Sequence, residues 1–242
     1  MPTISTNGIT LHYETHGEGD PLLFLHGGGG MGNDWQFLGK EWPFRLIAPD
    51  LPEHGYSTGR AGPWTHRAAA QDVLALLDHL NIAKIKAVGI SMGGNTLLHM
   101  ATSQPDRIEA MVVVSATSYF GPEARKFMRE FSVDSLPDAL RRFTLARHPG
   151  GEAQARALFD RAKAFADVYD DMNFTPPLLG TIQARTLIVY GDRDPLYPVE
   201  IAIEMYRAIP RAELWVVPNG AHGPVFGDAA PDFLKIATRF LR

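Results

Sequence analysis

Short uninterrupted runs of apolar residues recur along the chain, and such runs are typical of strands buried in a parallel sheet. They read PLLFL (21–25), FRLIAP (44–49), IKAVGI (85–90), AMVVVSA (110–116), ARTLIVYG (184–191) and AELWVVP (212–218). Ahead of them, residues 3–15 alternate in polarity around Asn7-Gly8, a dipeptide that favours a two-residue hairpin turn. The pattern predicts a hairpin followed by a series of parallel strands.

Segments with helical spacing separate most of these runs. Residues 65–82 place one apolar stripe on a helix, made of Ala69, Val73, Leu76, Leu77 and Leu80. Helical patterns also cover residues 95–104, PVEIAIEMYRAI and APDFLKIATRFL. The alternation of strand and helix predicts an α/β fold, a mostly parallel sheet with helices on both faces.

Residues 119–180 interrupt this alternation. They contain three amphipathic helical stretches, PEARKFMREF, PDALRRFTLA and EAQARALFDRAKAFADVY, and two prolines then lead back to a strand. We therefore predict a core formed by residues 1–118 and 181–242, with a helical insertion at 119–180.

Composition narrows the class of protein. The 242 residues suit one α/β domain. A net charge of −4 and a pI of about 6.1 give no basic surface for nucleic acid. The absence of cysteine excludes disulfides and thiol nucleophiles and suits a cytoplasmic protein. No basic leader precedes an apolar core, no apolar run could span a membrane, and no spacing indicates a metal site.

The glycine-rich loop HGGGGMGND permits a different interpretation. Gly27, Gly29 and Gly32 match a dinucleotide-binding fingerprint, and Asp50 ends a strand about 20 residues later. Four consecutive glycines satisfy almost any such spacing, however, and the following NDWQFLGKEWPF is a poor crossover helix because it contains glycine and proline. We therefore do not expect a nucleotide cofactor.

Ser91 lies between a predicted strand and a predicted helix, in the sequence AVGISMGGN. Gly89, Ser91 and Gly93 form a G-x-S-x-G pattern, in which the serine occupies a sharp turn and the glycines allow close chain packing. A serine hydroxyl is a weak nucleophile until a base takes its proton. The pattern predicts a nucleophile only if the rest of the chain provides that base.

The candidate base is His222, on a glycine-flanked loop after the last apolar strand. A carboxylate must orient it, and Asp192 or Asp194, after the preceding strand, are both candidates. We interpret His26 as shaping the glycine loop and His54 as a loop residue near the site. No special role is assigned to the remaining histidines, which are His12, His16, His66, His79, His99 and His148.

Two backbone amides are candidates for an oxyanion hole, which stabilises the charge that develops on a substrate oxygen. The amide of Met92 follows the serine directly. The second comes from the HGGGG loop, where Gly28 is the candidate, since glycines leave room for substrate beside the backbone. This chemistry requires neither a metal nor a cofactor.

The motifs quoted above, together with LIAPDLPEHGYS and LIVYGDRDPLYP, resemble the α/β-hydrolase superfamily in content and in order along the whole chain. The resemblance implies a triad of Ser91, Asp194 and His222, with Asp192 structural. It also implies that residues 119–180 form a lid. Glu53 departs from the pattern common in relatives and can alter its own turn. A serine at position 91 argues against haloalkane dehalogenases and epoxide hydrolases, which use aspartate there.

The resemblance implies acyl transfer through Ser91, and we expect a serine esterase for small or medium carboxylic esters. Enol-lactone hydrolysis, C–C bond hydrolysis and perhydrolysis remain alternatives, as does a slow ligand receptor on the same fold. Aromatic residues of the insertion favour an apolar acyl or alkyl group; they are Phe127, Phe131, Phe143, Phe159, Phe165, Tyr169 and Phe174. Most of the basic residues among 123–163 fit a solvated helix face, but one arginine among them could recognise a substrate carboxylate. The expected partner is a small ester, and the sequence leaves the oligomeric state open.

Overall fold

A computed structural model describes residues 1–39, 42–59, 62 and 64–242. Within these residues the strands are β1 (Thr3–Thr6), β2 (Ile9–His16), β3 (Pro21–Leu25), β4 (Arg45–Pro49), β5 (Ile85–Ile90), β6 (Ile108–Val114), β7 (Arg185–Gly191) and β8 (Ala212–Val217). The predicted apolar runs correspond to β3 through β8, and the alternating stretch forms β1 and β2. Asn7 and Gly8 have φ angles of 47° and 80°, as the predicted hairpin turn requires.

The described helices are α1 (His66–His79), α2 (Met92–Ser103), α3 (Pro122–Glu130), α4 (Asp138–Ala146), α5 (Gly151–Ala164), α6 (Pro176–Leu179), α7 (Val199–Ala208) and α8 (Ala230–Leu241). Short 3₁₀ helices occupy Gly32–Leu38, Pro105–Arg107, Val133–Ser135, Phe165–Asp167 and Gly227–Ala229. No helix in the described part of the chain has both the length and the apolar character needed to cross a membrane.

The strands form one sheet in the order β1-β2-β4-β3-β5-β6-β7-β8. Pairing is antiparallel between β1 and β2 and between β2 and β4, and parallel across the rest of the sheet. The chain leaves β3 toward β4 on one side and returns with β5 on the other side, so the order reverses between β3 and β5. Ligands of open α/β sheets bind at the carboxyl ends of the strands at such a point.

Helices cover both faces of the sheet, as predicted. One apolar cluster contains side chains of α1, α2 and α7, and the other contains those of α8 and the 3₁₀ helix Gly32–Leu38. Fully buried strand residues such as Leu23 and Leu22 point to opposite clusters, which explains the uninterrupted apolar runs.

Residues 119–180, which we call the helical insertion, connect β6 to β7. The three predicted amphipathic stretches correspond to α3, α4 and α5. Pro176 and Pro177 begin the short helix α6, and the chain then returns to a strand at β7. Proline fits the first turn of a helix because the amide it lacks would have no partner there.

Candidate active site

Ser91 lies at the carboxyl end of β5, on a turn whose backbone is held in an uncommon conformation. Its φ and ψ angles are 49° and −112°. A Cβ atom on Gly89 would lie 2.6 Å from the Gly93 carbonyl oxygen, and one on Gly93 would overlap the Leu25 carbonyl. The turn therefore needs glycine at both positions. The backbone of Ser91 has a positive φ angle, which is typical of residues at functional sites.

His222 and Asp194 extend from Ser91 as one hydrogen-bonded chain. His222 Nε2 lies 2.8 Å from Ser91 Oγ, and His222 Nδ1 lies 2.8 Å from Asp194 Oδ2. The other carboxylate oxygen, Oδ1, accepts the N–H groups of Leu196 and Tyr197 at 2.8 and 3.1 Å. Because the carboxylate accepts the Nδ1 proton, Nε2 is free to accept the serine proton.

The environment of Asp194 keeps it charged. Its side chain is fully buried, and burial acts to raise its pKa. The hydrogen bond and charge of His222, together with the N–H groups of Leu196 and Tyr197, outweigh that effect and lower the pKa of Asp194. Asp192, the other carboxylate left open by the sequence, is exposed on the same turn.

The two predicted amide donors, Gly28 and Met92, line the same cavity as Ser91. In the described part of the chain, neither N–H makes a hydrogen bond within the protein. Met92 is the first residue of α2, where helical amides have no intrahelical partner. A Cβ on the neighbouring Gly27 would lie 3.7 Å from Ser91 Cβ, so the glycine loop lies against the serine.

Three buried histidines hold this glycine loop. His26 Nδ1 donates to the Gly27 carbonyl at 2.7 Å, and its Nε2 accepts the Leu51 amide. Gly29 is held on both sides, because its N–H donates to His54 Nε2 and its carbonyl accepts from His148 Nε2, each at 3.2 Å. The interpretation of His26 as a residue that shapes the loop agrees with these contacts.

Each of these three histidines accepts a backbone amide on one ring nitrogen, and this bond requires an uncharged imidazole. Burial lowers the pKa of all three, furthest for His54, where the neighbouring His26 acts in the same direction. Arg147 lowers the pKa of His148 further. The loop is therefore held by neutral imidazoles in fixed tautomers, each with one donating and one accepting nitrogen.

The contacts of Asp50 do not support the interpretation of the glycine loop as a nucleotide-binding site. Its carboxylate is engaged by His12 Nδ1 at 2.7 Å and by the amides of Gly32 and Tyr56 at 2.7 and 2.9 Å. The chain after Gly32 forms a short 3₁₀ helix rather than a crossover helix. Asp50 therefore fixes the loop and has no free oxygen directed to a ribose.

A cavity of about 980 Å³ opens above Ser91. Its wall is mostly apolar, and four of the aromatic side chains predicted in the insertion contribute to it: Phe127, Phe131, Phe159 and Phe165. Phe143 and Tyr169 are exposed instead, and Phe174 is buried against His99. The size and lining suit an organic ligand with an apolar part.

Two basic residues among 123–163 line the described cavity, Arg147 and Arg161. Each forms an ion pair with a carboxylate of the core: Arg147 with Asp34, and Arg161 Nε with Glu53 Oε2 at 2.7 Å. Glu53 has a φ angle of 72°, which is uncommon for a residue other than glycine. Gln154 adds bonds to the carbonyls of Glu53 and Gly55, so the insertion is fastened to the loops around the site.

Sequence reasoning misses three residues near the site. It assigns no special role to His148 and His66, yet His148 holds the glycine loop and His66 lines the cavity with its imidazole bonded to Asp171. Ser115, at the end of β6, accepts the Gly223 amide at 3.0 Å and so steadies the loop that carries His222. The sequence offers one signal for the role of Ser115, which is that it directly follows a strand, as Ser91 does.

Comparison with known proteins agrees with this architecture. A family model described as the alpha/beta hydrolase fold matches residues 20–177. The meta-cleavage product hydrolase of Pseudomonas fluorescens IP01 superposes with a TM-score of 0.80 at 22% identity, over 99% of this chain and 97% of the other. That likeness concerns the fold.

Two characterised relatives align over most of the chain. The pimeloyl-[acyl-carrier protein] methyl ester esterase of Vibrio vulnificus (strain YJ016) is 29% identical, covering 88% of this chain and 91% of the relative. The dihydrolipoyllysine-residue acetyltransferase component of the acetoin cleaving system of Pseudomonas putida is 31% identical over 87% of this chain, but the match spans only 60% of that longer protein. The chain therefore belongs to the α/β hydrolase fold family, and it is a hydrolase.

Proposed function

We propose that the protein hydrolyses carboxylic esters of small to medium size through an acyl-enzyme intermediate. The observation that carries the proposal is the chain of two 2.8 Å hydrogen bonds from Ser91 Oγ through His222 to Asp194. It ends at an apolar cavity that also contains the unpaired amides of Gly28 and Met92. The esterase activity named for the Vibrio vulnificus relative supports the same reaction class.

In the proposed mechanism Ser91 Oγ attacks the ester carbonyl carbon while His222 Nε2 takes the hydroxyl proton. Asp194 stabilises the imidazolium through Nδ1. The amides of Gly28 and Met92 donate to the oxyanion of the tetrahedral intermediate. His222 then gives its proton to the leaving alcohol, and the acyl group remains on Ser91.

Deacylation repeats these steps with water as the nucleophile. His222 Nε2 takes a proton from water, the resulting oxygen attacks the acyl carbonyl, and the same proton returns to Ser91 Oγ as the acid leaves. In this proposal the helical insertion acts as a lid that excludes bulk water, because its aromatic side chains cover the cavity above Ser91.

The ion pairs of the cavity favour a neutral ester over one with a free carboxylate. Both lining arginines already face core carboxylates, so a substrate anion would have to displace Asp34 or Glu53. Lactone hydrolysis, C–C bond cleavage, perhydrolysis and slow ligand reception are the other functions that this fold could carry. The cytoplasmic location likewise stays a prediction.

The test is a series of p-nitrophenyl esters from acetate to dodecanoate, with the wild type and Ser91→Ala. We expect multiple turnovers with the highest kcat/KM on short or medium chains, and loss of turnover in Ser91→Ala with an unchanged circular dichroism spectrum. A single burst without further turnover would favour the receptor, and equal activity of Ser91→Ala would refute the mechanism.

A further inference from the structure

A further group of polar side chains lines the mostly apolar cavity, apart from the proposed catalytic residues and the two ion pairs. We call it the cavity floor and define it as His66, Asn95 and Tyr197, with Asp171 behind His66. The first three residues line the cavity, and all four residues are buried. The ester mechanism uses none of the four side chains, although the Tyr197 amide donates to Asp194.

Asp171 fixes the imidazole of His66. Its Oδ2 accepts His66 Nδ1 at 2.7 Å and the His66 amide at 2.8 Å, while Oδ1 accepts the Arg67 amide at 3.1 Å. Burial acts to raise the pKa of Asp171, but these bonds to His66 and Arg67 lower it to about 2. The carboxylate thus holds the proton of His66 on Nδ1 and leaves Nε2 as an acceptor.

The nitrogen Nε2 of His66 has little else to bond. The nearest partner in the described residues is Asn95 Nδ2 at 3.5 Å, the outer limit of a hydrogen bond. Asn95 Oδ1 accepts the Thr117 amide at 2.9 Å, which fixes the orientation of the side-chain amide and leaves the donors on Nδ2. The acceptor Nε2 of His66 and the donor Nδ2 of Asn95 therefore make only a long contact with each other, and both residues line the cavity.

Tyr197 adds a third polar atom that stays protonated. Burial raises the pKa of its hydroxyl, against the opposing effect of a hydrogen bond with Asn95. Its ring packs edge-on against His222, with centroids 5.3 Å apart. The cavity floor is thus next to the proposed base.

Aromatic rings surround the imidazole of His66. The centroids of Trp64, Phe165 and Phe120 lie 4.9, 5.1 and 5.9 Å from it. Polar atoms with weak partners are costly in such surroundings. The bonds of Asp171 to the first amides of α1 explain its carboxylate as a helix cap, but they do not explain the long His66–Asn95 contact between two residues that line the cavity.

We propose that the cavity floor binds a hydroxyl group on the acyl chain, so that the preferred substrates are esters of hydroxy acids; this rests on the proposed ester hydrolysis. The hydroxyl donates to His66 Nε2 and accepts from Asn95 Nδ2. The Asn95 amide donates to the Ser91 carbonyl at 2.9 Å, which places Asn95 one turn after the nucleophile and suits a hydroxyl a few carbons from the ester carbonyl. Asp171 behind His66 disfavours a substrate carboxylate at this point.

The test compares kcat/KM for p-nitrophenyl butanoate, each enantiomer of the 3-hydroxybutanoate ester, and the 3-methoxybutanoate ester. Wild-type enzyme should prefer one hydroxy enantiomer over butanoate by about tenfold, because one added hydrogen bond contributes about that factor. The methoxy ester, which cannot donate to His66, should lose this preference. Equal rates on all the esters would overturn the inference, whatever any variant does.

The variant His66→Phe places an apolar ring among the three aromatic neighbours and removes the acceptor. We expect the hydroxy-to-butanoate ratio to fall to about one. The matched control is His99→Gln, which touches Asp171 from outside the cavity with Nε2 at 3.5 Å and should keep the wild-type ratio. A ratio that survives His66→Phe, or one lost equally in His99→Gln, would overturn the inference. Absence of Ser91-dependent turnover on every ester would instead refute the proposed function.

Discussion

Two of the histidine–aspartate pairs in the described residues have a histidine that lines the cavity, and these two pairs have nearly the same internal geometry. The Nδ1···Oδ2 distance is 2.8 Å in His222–Asp194 and 2.7 Å in His66–Asp171. Each carboxylate also accepts two backbone amides, one at 2.8 Å and one at 3.1 Å. In both pairs these bonds lower the pKa of the aspartate despite burial.

The pairs differ in what faces the outer nitrogen of each imidazole. His222 Nε2 meets Ser91 Oγ at 2.8 Å, and a quarter of its side chain is exposed. Within the described residues, His66 Nε2 meets only an amide nitrogen at 3.5 Å, and aromatic rings surround the imidazole. His222 is the proposed base because the Ser91 hydroxyl, on a strained turn, lies within hydrogen-bonding distance of its Nε2. An aspartate orients His66 in the same way, but no such hydroxyl faces it in the described residues, and we propose that it binds substrate instead.

The largest difference between the two pairs should appear when the histidine of each pair is replaced. We expect His222→Ala to lower kcat by about 10⁵-fold or more, because it removes the base from both steps. His66→Ala should lower kcat far less, and its main effect should be a lower kcat/KM for hydroxy esters. Steady-state kinetics on butanoate and hydroxybutanoate esters measure both, and similar losses in kcat would contradict the distinction.

Replacing the aspartate of the first pair should have the next largest effect. Asp194→Asn is expected to lower kcat by about 10⁴-fold, since an amide cannot hold His222 in the required tautomer. The exposed Asp192, two residues away, supplies the matched control, and Asp192→Asn should stay within about twofold of wild type. The reverse outcome would mean that the acid is assigned to the wrong residue.

Asp171→Asn should act chiefly on stability. It removes a buried charge that caps α1 and joins it to the insertion, so we expect the free energy of unfolding to fall by about 3 kcal/mol. Urea unfolding at neutral pH measures this loss. An unchanged free energy would show that the second pair is not held as tightly as its distances indicate.

The glycine loop should respond to His148→Ala with a smaller loss. The Gly29 carbonyl loses its donor, so we expect kcat to fall by about tenfold with a lesser change in KM. His79→Ala, on an exposed position of α1, is the control and should leave the kinetics unchanged. A KM effect without a kcat effect would assign His148 to substrate binding instead.

Buried neutral histidines also predict a dependence of stability on pH. Burial lowers the pKa of His26, His54 and His148, and that of His99 to about 4. Below pH about 6.5 the unfolded chain therefore binds more protons than the folded one. Stability is full above that pH and falls as the pH drops, by up to about 1.4 kcal/mol per pH unit for each such histidine. Urea unfolding at successive pH values measures how the free energy of unfolding changes with pH. The variant His148→Gln should reduce this change. A free energy that does not depend on pH would contradict the burial of these histidines in the neutral form.

The sequence predicts the sheet and the residues around Ser91 because their signals are local. Apolar runs mark each parallel strand, and Ser91, Asp194 and His222 each follow one, at the edge where strand ends meet. The family resemblance adds the choice of Asp194 over Asp192, which spacing alone leaves open.

The cavity floor and the contact of His148 with the glycine loop are not accessible to such reasoning. His66 and its partner Asp171 are 105 positions apart, and His148 is 119 positions from Gly29. Their pairing depends on how the insertion lies against the core, and no periodicity or motif encodes that. A histidine within a helical pattern looks the same whether it faces solvent, core or cavity.

The most direct test of the central claim is covalent labelling of wild-type protein with a fluorophosphonate, with the modified peptide located by mass spectrometry. The account predicts one adduct, on Ser91, with labelling and ester turnover lost in parallel, and strongly reduced labelling in His222→Ala but not in His99→Gln. An adduct on another residue, or turnover that persists after Ser91 is fully labelled, would contradict it.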